Sequence, residues 1–114
     1  MTNNAKALTK YVRISPRKAR LAADLIRGLS AADACTQLGI AGTKAGRLLF
    51  KTLHSAIANA ETNHGMDREQ LVVSEVRIDE GPTLKRAKSK CRGGRAPILK
   101  RTSHFTVVVS DDEG

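Results

Sequence analysis

The chain has 114 residues, a formal net charge of +9 and only three aromatic residues, Tyr11, Phe50 and Phe105. A chain of this length makes one small domain with a modest core, which disfavours a large internal active site. Three rings are too few to fill a core and also build the exposed platform on which RNA-reading proteins stack several bases.

Taken in chain order, Ala5 to Val12 alternates weakly and carries Lys6 and Lys10, as an edge strand does. Ser15-Pro16 reads as an N-cap followed by a proline at the first helical position. Ala22, Leu25, Ile26 and Leu29 follow the spacing of a buried helix stripe, which Gly28 or Ser30 should end. Ser30 can cap a second helix with Ala31, Ala34, Cys35 and Leu38 inward, closed by Gly39. Thr43 can cap a third, with Leu49, Leu53, Ala56, Ile57 and Ala60 inward and Gly65 at its end. Leu71 to Ile78 is β-branched and apolar and predicts a strand. In a last strand, Phe105, Val107 and Val109 alternate with Thr106, Val108 and Ser110.

The positive charge is unevenly spread. Residues 1–27 hold seven Lys or Arg and one Asp, residues 28–82 five basic and seven acidic, and residues 83–101 eight basic and no acidic residue. Clustering of this kind is an electrostatic footprint for nucleic acid. Residues 83–101 have too little apolar content to fold alone and repel themselves. They lie between two predicted strands. With Gly93-Gly94 as a two-residue turn, Ile78 faces Val109, so the apolar strand bases fall in register beneath a basic distal part. A hairpin arm built this way reaches about 45 Å from Glu80 to Gly93 at about 3.3 Å per residue. A flexible Ω-shaped loop is the alternative reading of the same residues.

The first helix adds Arg17, Arg20, Asp24 and Arg27 on one polar face, with Arg13 and Lys18 nearby. Cations in a helix's first turn oppose its dipole, whereas the unpaired N–H groups there attract phosphate, so a phosphate-binding role explains them better than stability does. Lys44, Arg47, Lys51 and His54 give the third helix a polar face that is either solvated or a second RNA contact. A membrane-surface role would need large apolar anchors beside the basic cluster, which the basic segment lacks. No run of about eighteen apolar residues is present to span a bilayer, and Met1 to Lys10 lacks an apolar export segment.

Catalytic readings find little support. His54, His64 and His104 have no metal-site spacing. His64 beside Gly65 looks like a helix end, and His104 either touches RNA or hydrogen-bonds locally. Cys35 and Cys91 also lack metal-site spacing and suit reduced thiols in a cytosolic protein. Cys35 falls on an apolar stripe, and cations around Cys91 would lower its thiol pKa. Gly42-Thr43 lies in a glycine-containing run that lacks the Gly-Lys-Ser/Thr order of a phosphate loop, and reads as a turn and cap. No cofactor, metal or small-molecule substrate is implied.

Five strings occur together in order: Ser15-Pro16-Arg17-Lys18-Ala19-Arg20, Ala23-Asp24-Leu25-Ile26-Arg27-Gly28, Ser55-Ala56-Ile57-Ala58-Asn59-Ala60-Glu61, Asp79-Glu80-Gly81-Pro82 and Lys100-Arg101-Thr102-Ser103-His104. In these the chain closely resembles the bacterial L-twenty-two family of large-subunit ribosomal proteins, over roughly residues 5–110. The resemblance implies an α+β fold with three helices on a three-stranded antiparallel sheet and a long protruding β-hairpin. It implies a single domain, with residues 1–80 and 102–112 as the globular body and 81–101 as the arm. It also implies a cytoplasmic, non-enzymatic protein that binds large-subunit ribosomal RNA, supports assembly and touches neighbouring ribosomal proteins. The arm would reach the wall of the peptide exit tunnel and meet the nascent peptide there.

The residues expected to hold RNA are Arg13, Arg17, Lys18 and Arg20 in the body, and Lys85, Arg86, Lys88, Lys90, Arg92, Arg95, Lys100 and Arg101 in the arm. The tunnel tip would be Lys90, Cys91, Arg92, Gly93, Gly94 and Arg95. This tip departs from the family pattern, with Ser89 where proline is usual and a second glycine. Either Arg95 or Gly94 takes the second basic position, depending on a one-residue slip. Outside the family, the same charge pattern would suit an architectural nucleic-acid binder such as an RNA chaperone or a DNA-compacting protein.

Overall fold

The computed structural model describes residues 4–89 and 95–111, with the backbone alone for 84–89 and 95–99. Strand β1 (Asn4–Val12) leads into helices α1 (Pro16–Ile26), α2 (Ala31–Ala41) and α3 (Lys44–His64). A 3-10 turn at Arg68–Gln70 precedes β2 (Val72–Glu80), β3 (Leu84–Ser89), β4 (Arg95–Lys100) and β5 (Ser103–Ser110). The main sheet is antiparallel in the order β1-β5-β2, so the α+β fold of three helices on three strands is as expected.

The caps follow local chemistry. Ser15, Ser30 and Thr43 each sit in extended backbone and accept from the N–H three residues on, at Lys18, Asp33 and Gly46. Each side chain so satisfies a donor that the first helical turn leaves unpaired. Gly65, at φ +63°, ends α3 in the left-handed conformation. One expectation fails here: α2 does not close at Gly39 but runs on to Ala41, ending at Gly42 with φ +64°. The left-handed cap needs a positive φ, which Gly42 supplies, while Gly39 is simply a helical glycine.

The core follows from the pairing. Helix α3 packs on β1 and β5, and α1 on β2. Leu49, Leu53, Ala56, Ile57 and Ala60 are buried as the α3 stripe requires, against Phe105, Val107 and Val109 of β5 in the same cluster. Thr106 and Ser110, on the opposite face of β5, are buried as well. A central strand is flanked on both sides, so neighbouring side chains shelter even its polar face. In α1 the buried stripe is Ala19, Ala22, Ala23 and Ile26, whereas Leu25 is 47% exposed. The sequence spacing therefore placed Leu25 on the wrong side: small alanines face the sheet and let α1 approach it closely.

The strand register is also corrected. Ile78 pairs with Phe105, and Val109 pairs with Val73, not with Ile78. Ile78 shifts its partner by an even number of residues, four, and keeps its predicted face, while a bulge between Val73 and Glu75 offsets the pairing of Val109 by an odd number. The hydrophobic pattern fixes that parity, but the exact partner depended on the assumed turn. In β3 and β4 Leu84 stands opposite Lys100 and Ser89 opposite Arg95, a register that a two-residue Gly93-Gly94 turn does not produce. Lys90 to Gly94, including Cys91 and the expected tunnel tip apart from Arg95, lie outside the described residues.

The outer edge of β2 is closed by the α1 end of the chain. The backbone of Gly28 donates to Val73 and that of Ala31 to Leu71, while Val73 N–H donates to Leu29. Further along, Arg27 donates to the Val76 carbonyl at 3.0 and 3.3 Å, and Arg20 to the Ile78 carbonyl at 3.2 Å. These bonds occupy carbonyls that an open edge strand would offer to other chains.

At the foot of β3 and β4, Gly81 N–H donates to the Thr102 carbonyl at 3.0 Å, and Thr102 Oγ1 donates to the Pro82 carbonyl at 2.6 Å. A Cβ on Gly81 would lie 2.5 Å from Thr102 Oγ1 and 3.1 Å from His104 Cε1. Gly81→Ala is expected to break the Thr102 bond and cost about 1–3 kcal/mol. Gly39→Ala, whose Cβ meets nothing within 4 Å, is expected to gain about 0.5–1 kcal/mol from helix propensity. Urea denaturation of the two variants reads both, and equal midpoints would contradict the packing at Gly81.

Candidate nucleic-acid interface

The N-terminus of α1 is held by a short turn after β1. Ile14 N–H donates to the Val12 carbonyl, and buried Ser103 Oγ donates to the Ile14 carbonyl at 2.8 Å. This ties the start of α1 to the start of β5, beside the end of β4. The N-terminus of α3 follows Gly42 and opens on the same side. Together they form a cleft of about 910 Å³. Both capping residues, Ser15 and Thr43, line it, and so do Arg13, Lys18, Lys44, Lys100 and Arg101.

Five cations from three separate stretches of chain thus surround one opening, and no Asp or Glu lines it among the described residues. Neither α1 nor α3 has an acidic residue in its first turn. Unpaired helix N–H groups, the positive dipole ends and the cations all favour an anionic occupant. The acidic residues lie elsewhere: Glu75 and Asp79 contact Arg77 on β2, Glu61 contacts Arg68, and Asp24 contacts Arg27.

Of the body residues expected to bind RNA, the structure brings Arg13 and Lys18 into this cleft together with Lys100 and Arg101 from the foot of β4. Arg17 is exposed on α1 outside it. Arg20 bonds to the edge of β2, so that its guanidinium is at least partly structural. Lys85, Arg86 and Lys88 fall on β3 and Arg95 on β4. Lys90 and Arg92 fall outside the described residues. Sequence reasoning placed Lys44 on a polar face of α3 that is either solvated or a second RNA contact, and not among the α1 and arm residues expected to hold RNA. Its position directly after the Thr43 cap was the signal that it belongs with the phosphate-facing groups.

The remaining candidates resolve into local structure. Tyr11 has φ +59° at a register shift in β1, and its N–H donates to His104 Nδ1 at 3.1 Å. The two rings meet edge to face at 5.0 Å. Accepting at Nδ1 leaves the His104 proton on Nε2 in the neutral ring. His64 is the last residue of α3, as its neighbour Gly65 suggested. Cys35 packs at the margin of the core, where burial pushes its thiol pKa up and the Arg68 charge partly offsets the rise. No group of three His, Cys, Asp or Glu able to hold a metal occurs among the described residues. None of their helices is long and apolar enough to cross a membrane.

The fold and cleft define a class: a small basic α+β protein with five cations gathered around one cleft. The family model for ribosomal protein L22p/L17e matches residues 7–110, and the chain belongs to that family. Among its relatives is the large ribosomal subunit protein uL22 of Protochlamydia amoebophila, 71% identical over 107 residues, covering 94% of this chain and 96% of the relative. The uL22 proteins of Chlamydia pneumoniae and Chlamydia felis are 59% and 60% identical over 108 residues, each covering 95% of this chain and 97% of the relative. The role is that of a ribosomal structural protein, and the family is not one of enzymes.

Proposed function

We propose that this ribosomal protein docks on large-subunit ribosomal RNA through the cleft between α1, α3 and the foot of β4. Arg13, Lys18, Lys44, Lys100 and Arg101 would take phosphates, with Arg17 and Arg20 contributing from the rest of α1. The convergence of these cations on one carboxylate-free opening carries the reading. Phosphate contacts supply affinity and position, and the shape of the folded RNA supplies specificity.

Residues 81–101 would act as an arm that follows RNA from this foothold to the wall of the peptide exit tunnel. Lys85, Arg86, Lys88, Lys90, Arg92 and Arg95 would neutralise phosphates along the way. The tip, Lys90 to Arg95, would face the nascent peptide, while the body would touch neighbouring ribosomal proteins. The paired strands β3 and β4 and the run of basic residues support an arm of this kind. Residues 1–80 and 102–112 would form one domain with it.

A competition assay tests the docking. Labelled large-subunit RNA transcript bound to the full chain is challenged with unlabelled duplex DNA at moderate salt. The duplex is expected to compete poorly. Equal competition would favour a general architectural nucleic-acid binder instead.

A further inference from the structure

The cleft is not purely a charged surface. Leu21 and Leu25 are the exposed large apolar residues that line it among the described residues, 68% and 47% exposed. They stand four residues apart on α1 and so lie on the same helix face. Lys18 precedes Leu21 by one turn and Leu25 by two, and Lys44 and Arg101 line the same opening. An occupant must therefore carry negative charge and also offer an apolar face at the same place.

Phosphates alone meet only the first requirement. A regular RNA duplex does no better, because its bases are paired and stacked and present no open face. An unpaired nucleotide meets both, since it brings an anionic phosphate on each side of one flat base. The cleft volume of about 910 Å³ lies within the roughly 300–1,000 Å³ of pockets that enclose ligands of small-molecule size. The scarcity of aromatic residues does not oppose this, because leucine side chains also serve as apolar wedges against bases.

We infer that the cleft holds one unpaired nucleotide of the RNA, its base against Leu21 and Leu25 and its flanking phosphates on Lys18, Lys44 and Arg101. This rests on the RNA-docking reading above and adds the kind of RNA element that the body selects. An acidic peptide with apolar residues is the competing occupant. Its carboxylates and apolar groups sit on separate flexible side chains, whereas a nucleotide holds a phosphate on each side of its flat base by short covalent links.

Two measurements on the full chain test it, with a large-subunit RNA transcript as the probe. The double variant Leu21→Ala, Leu25→Ala is expected to bind about tenfold more weakly with the salt slope unchanged. Its thermal melt should match the parent, because neither side chain is buried. A photoreactive diazirine leucine analogue at position 25 is expected to cross-link to the base of an unpaired nucleotide. Parent-like affinity, or cross-links confined to paired regions, would overturn the inference. Failure of the parent chain to bind the transcript would instead overturn the docking reading beneath it. Capture of an acidic leucine-containing peptide by the parent but not by the double variant, with RNA binding untouched, would assign the cleft to a protein partner and overturn the inference too.

Discussion

Replacing Arg13, Lys18, Lys44 and Arg101 together by glutamine is expected to flatten the salt dependence of RNA binding by about 3 on a log–log plot. Each phosphate on single-stranded RNA contributes a slope of about −0.7 through counterion release, so four lost contacts account for that change. The release effect vanishes toward 1 M salt, so the same difference amounts to roughly 600-fold in affinity at 0.1 M. All four side chains are exposed, and the fold should persist. Lys18 and Lys44 oppose the dipoles of α1 and α3 from their first turns. Their removal should raise thermal stability slightly, by a few tenths of a kcal/mol each. A variant that melts no lower yet loses its salt slope separates a binding role from a structural one. Filter binding at several salt concentrations reads the slope, and an unchanged value would remove the cleft from the RNA interface.

Phe105→Ala should have the largest effect on folding. Phe105 is fully buried in the central strand, paired with Thr9 on one side and Ile78 on the other. Emptying that position costs about 3–5 kcal/mol, because the rigid sheet and α3 cannot collapse into the space. Domains commonly have about 5–15 kcal/mol in total, so a large part of the stability would go. With a denaturant dependence of about 2 kcal/mol per molar, the urea midpoint would fall by roughly 2 M. Leu25→Ala should move it little, since exposed positions usually stay within about 0.5 kcal/mol. Equal losses at Phe105 and Leu25 would mean that α1 faces the sheet with its other side.

The comparison of these two residues shows where sequence reasoning succeeds. Phe105, Val107 and Val109 were legible because a strand's period of two leaves only one face for three large apolar residues. Leu25 was misplaced because a short helix with many alanines carries two apolar stripes, and spacing alone does not say which one meets the sheet. The even-numbered slip of Ile78 from Val109 to Phe105 has a similar origin. Alternation specifies parity, whereas the partner depends on the geometry between the strands, including the bonds that Gly81 and Thr102 make at their foot.

The charge pattern divides in the same way. The order of residues alone showed that the excess positive charge sits in the first 27 residues and in residues 83–101. The three N-caps, the α3 stripe and the five motif strings were likewise local, since each depends on residues within a few positions of one another. The order β1-β5-β2 was not local. It sets the last strand, β5, between β2 and the first strand, β1, and so brings the end of β4 beside the start of α1. Only that pairing joins Arg13 and Lys18 to Lys100 and Arg101, more than 80 positions away, and adds Lys44 and the exposed leucines to the same opening. Sequence by itself determined which groups are charged and which segments carry them. Tertiary structure decided which of them line one opening, because electrostatic and apolar contacts depend on distance through space and not along the chain.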